Sequence, residues 1–218
     1  MGRNPDATRA LAFCGLATFV TCVVVAHVAR PSLDPLSHMV SEYARYGPRL
    51  LITAGFAAWS LSFAAATPWF LLHRPRRWSR AIASCGLAAA AGIVLIAAFR
   101  TQTSAGHLAF GSHLALGGRL HDAGSGLATL SLLAAACLSL GLNTLTVRRR
   151  IAVAALLVLC ALASAVLLAI GQEVGGLRQR ILLGSACAWE AVVLGSRPED
   201  GTSGFRARPD RSAERSPA

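Results

Sequence analysis

The sequence predicts an all-α, multi-pass transmembrane bundle of about six helices with both termini in the cytoplasm. Three observations predict it. Apolar residues make up 54% of the 218-residue chain and charged residues only 14%. The charges are clumped, whereas a soluble domain spreads them along every surface helix. Finally, the long uncharged stretches approach the roughly 20 residues that a helix needs to cross a hydrocarbon core about 30 Å thick.

The runs, in order, are Ala10–Ala29, Leu50–Leu72, Ala81–Ala98, Ala123–Val147, Ile151–Gly171 and Ile181–Ser196. Ala, Leu, Gly and Val dominate them without period-two alternation, which favours helices over the strands of a membrane barrel. Pro68 is expected to kink the second helix or mark its inner end. The small residues of the Ala88–Gly92 stretch and Gly124, Ser125 and Gly126 suit close helix contacts. The first run has a basic start like a signal peptide. Its length, and His27 where a small residue is wanted, favour an uncleaved anchor.

The net charge of +11 raises nucleic acid as a partner. The positive charge is entirely arginine, however, and it sits in loops between apolar runs. That pattern is the positive-inside rule, and it assigns the lipid bilayer as the partner, with no nucleic acid. The N-terminus, the second and fourth loops and the C-terminal tail hold 14 of the 21 arginines. These segments share one side of a six-helix chain, which is therefore the cytoplasmic side of a cell membrane, a bacterial inner membrane in this reading. The expected organisation is a short N-terminus (1–9), a transmembrane domain (10–196) and a disordered tail (197–218) too polar to fold alone. A homo-oligomer or a membrane partner is compatible with the pattern.

Cys14, Cys22, Cys85, Cys137, Cys160 and Cys187 all fall inside predicted helices with no CxxC spacing, so they read as small apolar side chains. The first outer loop is more informative. Asp34-Pro35 resembles a cap and first helical position, and Leu36, Met39, Val40 and Tyr43 form a stripe at helical spacing. A short interfacial helix ending at Gly47-Pro48 is expected, with Tyr43 anchored at headgroup level. The third connection, from Phe99 to His121, carries His107, His113 and His121 and has an apolar middle that could dip into the interface or form a short helix.

Four polar segments then fall on the outer side: Ser41-Glu42-Tyr43, Arg100-Thr101-Gln102, Gly118-Arg119-Leu120-His121-Asp122, and Gly175-Gly176-Leu177-Arg178-Gln179-Arg180. Their order resembles an uncharacterised family of bacterial and archaeal six-helix membrane proteins catalogued as domain of unknown function 998. That family has S-x-Y after the first helix, Phe-Pro-Thr-Asp after the third, G-x-x-H before the fourth and G-L-x-E-R before the sixth. Ser41 and Tyr43, Gly118 and His121, and Gly176-Leu177 with Arg180 match. Phe99-Arg100-Thr101-Gln102 lacks the Pro and the Asp, and Gln179 stands where the resemblance implies Glu. The resemblance implies no activity.

The polar cluster expected on the outer face is Ser41, Glu42, Tyr43, His121, Asp122 and Arg180. It reads as structural or as a site for a ligand or partner. Glu42 and Asp122 are expected to pair with Arg180, Arg178 or Arg45. A membrane-embedded metal-dependent hydrolase using His121, Asp122 and Glu42 with His27, His107 or His113 is the sharper alternative. The histidine spacing matches no common zinc pattern, and neither a metal nor another cofactor is assigned. Glu190 is an ionisable residue within a span; it either serves a proton-coupled transporter or contacts Asn143 or Thr144.

Overall fold

The computed structural model describes residues 5–73, 76–104, 107–108, 115–142, 145–170 and 174–196. Asn143, Thr144, His113 and the tail from 197 lie outside the described residues, as does the His107 side chain. The described chain forms seven helices: α1 (Pro5–Ala29), α2 (Val40–Tyr46), α3 (Arg49–His73), α4 (Arg76–Ala98), α5 (Leu116–Leu140), α6 (Val147–Ile170) and α7 (Gly175–Leu194). One two-residue antiparallel ladder, β1 (Thr103–Ser104) with β2 (His107–Leu108), stands between α4 and α5. The multi-pass helical bundle is thus the fold.

Among the described residues, five helices are long and apolar enough to cross a membrane: α1, α3, α4, α5 and α6. The sixth expected span, α7, falls outside this set. It has 20 residues, and every stretch of it long enough to qualify includes Arg178, Arg180 and Glu190. It is nevertheless built into the bundle, along α6 and against α1 and α5. Hydrophobic residues that would be costly in water, such as Leu130 and Leu162, remain exposed on the outside, as lipid-facing helices require.

Small residues set how closely the helices pass. A Cβ built on Gly92 would lie 2.6 Å from the Gly124 carbonyl oxygen, and one on Gly124 would lie 2.7 Å from that of Gly92. The α4 and α5 backbones therefore touch where the sequence places its glycines. Gly126 has open space around it and contributes nothing of this kind. On the other side of the bundle Gly15 of α1 packs on the Ala58 carbonyl of α3, and Gly55 of α3 packs on Cys22. Pro68 lies inside α3, which continues to His73 rather than ending there. Thr67 one position earlier returns its hydroxyl to the Phe63 carbonyl at 3.0 Å.

Two of the differences from the expected boundaries bear on the polar end of the bundle. The fourth long helix starts at Leu116, not Ala123, so Arg119, His121 and Asp122 are helical. The helix of the first loop covers only Val40–Tyr46. Asp34 does not cap a helix beginning at Pro35. Its carboxylate accepts the Leu36 N–H at 3.0 Å and the Ser37 hydroxyl at 2.9 Å, which closes a turn instead. Those two bonds hold the Asp34 carboxyl below the usual aspartate range, the Leu36 N–H contributing most.

Candidate functional site

The chain runs up α1 to its C-terminal turn, folds into α2, and meets the start of α7 at the same end of the bundle. α7 receives the segment from Leu33 to Tyr43 as if it were a docked peptide. Gly176 is pressed against the carbonyls of Pro35 and His38, where a Cβ would collide with both. The Leu177 N–H donates to the Leu36 carbonyl at 2.9 Å. Arg180 donates from Nη1 to the carbonyls of Pro35 at 2.6 Å and His38 at 2.7 Å. Its Nη2 reaches the Tyr43 hydroxyl and His27 Nε2, both at 3.4 Å.

Aromatic contacts complete this clasp. His27 of α1 stacks on Tyr43 with ring centroids 5.0 Å apart, and the Arg180 guanidinium lies 5.7 Å from the Tyr43 ring centroid. Tyr43 is 1% exposed, and its hydroxyl donates to the Leu33 carbonyl at 3.0 Å. It is therefore a core residue of the clasp rather than a headgroup anchor. Burial raises its phenol above the ordinary tyrosine value, against the opposing pull of Arg180.

Neither expected carboxylate is hydrogen-bonded to Arg180, although Glu42 is near enough to attract its charge. Glu42 caps its own helix: its Oε2 accepts the Met39 N–H at 2.7 Å. The next free N–H, that of Val40, donates to Gln179 Oε1 at 2.6 Å. A helix start leaves such N–H groups without intrahelical partners. Arg180 is used instead as a fork for main-chain carbonyls. Asp122, half-buried on α5, makes no hydrogen bond or ion pair with a described residue, so the structure does not bring it to Arg180 or Arg178.

Both amides that depart from the resembling pattern accept helix-start N–H groups. Gln179 serves Val40, and Gln102 Oε1 accepts the N–H of Ala115, the residue before α5, at 3.0 Å. Gly118 leaves the space the Gln102 side chain occupies; a Cβ there would stand 2.9 Å from it. Only an acceptor oxygen is needed at either position, and a carboxylate or an amide supplies one. Gln179→Glu should therefore keep the fold. Gln179→Leu should lose about 1–3 kcal/mol by stranding the Val40 N–H. Denaturant unfolding in detergent measures both, and equal loss in the two variants would contradict the capping role.

His121 belongs to a different part of this end. It is 5% exposed, and its Nδ1 donates to the Phe99 carbonyl at 2.9 Å, which fixes the ring orientation. It faces a small cavity between α2, α3, α4 and α5, lined also by Ser41, Arg49, Thr53 and Arg100. About 10 Å³ is open there to the centre of a water-sized group, enough for about one water molecule. Ser41 is 5% exposed, and its hydroxyl has no hydrogen-bond partner among the described residues. Arg49 and Arg100 are exposed at the rim.

The expected cluster thus divides. Tyr43, Glu42 and Arg180 lie in or beside the clasp, Ser41 and His121 line the cavity, and Asp122 joins neither. Arg49 and the acceptor carbonyls of the loop were not anticipated, and Gln179 was expected in an outer polar segment but not as a helix cap. Main-chain acceptors leave no mark in residue identities, but the run Gly175-Gly176 already signalled a close backbone approach. Among the described residues no three His, Cys, Asp or Glu side chains are grouped to hold a metal ion.

Glu190 lies deeper. It is buried, and its partners among the described residues are on α3; the expected contact with Asn143 or Thr144 lies outside the described residues. The Trp59 Nε1–H donates to Oε2 at 2.9 Å, and Ser62 Oγ is 2.5 Å from Oε1. Ser62 Oγ also stands 2.7 Å from the Ala12 carbonyl of α1. Next to Glu190, Trp189 donates to Ser139 of α5 at 3.1 Å.

A family model described as "Protein of unknown function (DUF998)" matches residues 13–196. The match covers every segment that builds this end of the bundle. Nothing matches among curated proteins or among solved structures.

Proposed function

The chain belongs to the DUF998 family of proteins of unknown function, and from that premise we propose that its α2 end is a binding site for an anionic, phosphate-bearing headgroup. The observation that carries this reading is the buried Ser41 hydroxyl, unpartnered among the described residues, which shares a cavity with His121 beneath two exposed arginines. A buried hydroxyl without a partner costs about 1–3 kcal/mol, so a site that retains one is suited to a polar ligand atom. The cavity admits one oxygen-sized group, while Arg49 and Arg100 suit the rest of a phosphate at the surface.

In this reading α7 is the sixth crossing, its two arginines at the interface and Glu190 within the span. The arginine count then puts the α2 end on the outer face of the cell membrane, at headgroup depth. The clasp has a supporting role: it keeps α2, and with it Ser41, closed over the cavity.

Native mass spectrometry of protein in detergent, titrated with phosphatidylglycerol, phosphatidylcholine and inorganic phosphate, tests the proposal. Phosphatidylglycerol should bind best, and Arg49→Gln with Arg100→Gln together should weaken it about 10-fold or more, the value of one or two charge-assisted bonds. Binding of inorganic phosphate with the same dependence on the arginines would point to a soluble phosphate ligand. Equal retention of both lipids, unchanged in the double variant, would overturn the site.

A further inference from the structure

We infer that Glu190 is a proton-binding site: in the assembled bundle its carboxyl carries a proton and donates it to Ser62. A serine hydroxyl has one proton to donate. Ser62 Oγ faces two oxygens at bonding distance, Glu190 Oε1 at 2.5 Å and the Ala12 carbonyl at 2.7 Å. The carbonyl can only accept. An ionised Glu190 could also only accept, so two acceptors would compete for one proton and the unserved pair would repel.

Placing a proton on Oε1 resolves the arrangement. Glu190 donates to Ser62, and Ser62 donates to Ala12. The indole of Trp59, which can only donate, makes Oε2 the carbonyl oxygen of the acid at 2.9 Å. The chain Trp59–Glu190–Ser62–Ala12 is then satisfied in one direction only. Its members are sealed from outside: Ser62 is 0% exposed, Trp59 1% and Glu190 3%.

Among the described residues no cation is hydrogen-bonded to Glu190, whose partners are Trp59 and Ser62. On α7 the neighbouring titratable group is the Cys187 thiol. On α3 the facing groups are Trp59 and Ser62, neither charged. On α1 the cation next in sequence to Ala12 is Arg9, one turn away, with its guanidinium 5.8 Å from the Phe13 ring centroid. Ser139 of α5 is engaged by Trp189. The proton is thus what makes three helices compatible at this point. Its loss would leave a buried anion and one hydrogen for two acceptors, loosening α7 from α1 and α3. The inference stands apart from the headgroup site.

Infrared spectroscopy of the full chain in phosphatidylcholine vesicles reads this directly. The wild-type minus Glu190→Gln difference spectrum should contain the C=O stretch of a protonated carboxyl. In Ser62→Ala that band should move to higher frequency, because its hydrogen bond is gone. Glu190→Gln should fold with an unchanged unfolding midpoint, since its amide donates to Ser62 and accepts from Trp59 in the same places. A difference spectrum that shows only the loss of an ionised carboxylate band would overturn the proton site. So would failure of Glu190→Gln to fold.

Discussion

Replacing Arg180 with alanine is expected to release the segment from Leu33 to Tyr43 from α7. The guanidinium makes two short bonds to the carbonyls of Pro35 and His38 and adds contacts to Tyr43 and His27. Bonds from a charged donor contribute about 1.5–3 kcal/mol each. The loss should therefore be about 2–4 kcal/mol after partial hydration of the freed carbonyls. Limited proteolysis should cut the 33–43 segment in the variant and spare it in the wild type. Arg180→Lys should recover only part of the effect, because one ammonium cannot fork to two carbonyls and still lie over the Tyr43 ring. Wild-type protection in Arg180→Ala would show that the clasp does not depend on this side chain.

Gly176→Val should be comparably severe for a different reason. The obstruction is backbone: the carbonyls of Pro35 and His38 occupy the space a Cβ needs. Neither can swing aside as the end of a side chain would, so the whole loop must shift. Overpacking of this kind costs about 1–3 kcal/mol, occasionally more. On the same helix, a Cβ added to Gly184 would meet nothing within 4 Å, so Gly184→Ala is the matched control. Thermal unfolding in detergent should show a lowered midpoint for Gly176→Val and an unchanged one for the control. Equal midpoints would contradict the close approach.

The bundle was legible in the sequence because the bilayer demands about 20 apolar residues per crossing, and five runs meet that demand. α7 was harder because its charges serve the clasp and the Glu190 contact rather than lipid. The gathering of polar segments at one end was also legible, from topology alone. Their pairing was not. Opposite charges suggested Glu42 with Arg180, yet Glu42 caps Met39 and Arg180 takes main-chain carbonyls. Carbonyl acceptors are available everywhere along a chain, so composition cannot indicate which ones a side chain will choose. Glu190 shows the same limit. Its partners Trp59 and Ser62 are more than a hundred residues distant in sequence and look like ordinary packing residues of α3.

The two amides sharpen the view of this end. Read as lost acids, Gln102 and Gln179 suggest a depleted catalytic cluster. Seen with their partners, they are acceptors for the N–H groups at the starts of α5 and α2. A glutamate at 179 has the length of Gln179 and would supply the same acceptor, whereas the aspartate the resemblance implies at 102 is one methylene shorter than Gln102. The capping role of the two amides shifts weight from proton transfer toward the positioning of Ser41, His121 and the arginine rim.

In the proposed site α7 holds the α2 segment closed over the cavity. A cross-link between Leu36 and Leu177 tests it most directly, because their backbones are joined by a 2.9 Å hydrogen bond. In a chain whose native cysteines are replaced, Leu36→Cys with Leu177→Cys should form a disulfide readily in membranes, since adjoining backbones bring Cα atoms to within about 7 Å. A control pair, Leu36→Cys with Leu130→Cys on the exposed face of α5, should not. Efficient bridging of the first pair alone is the predicted result; bridging no better than the control would contradict the account.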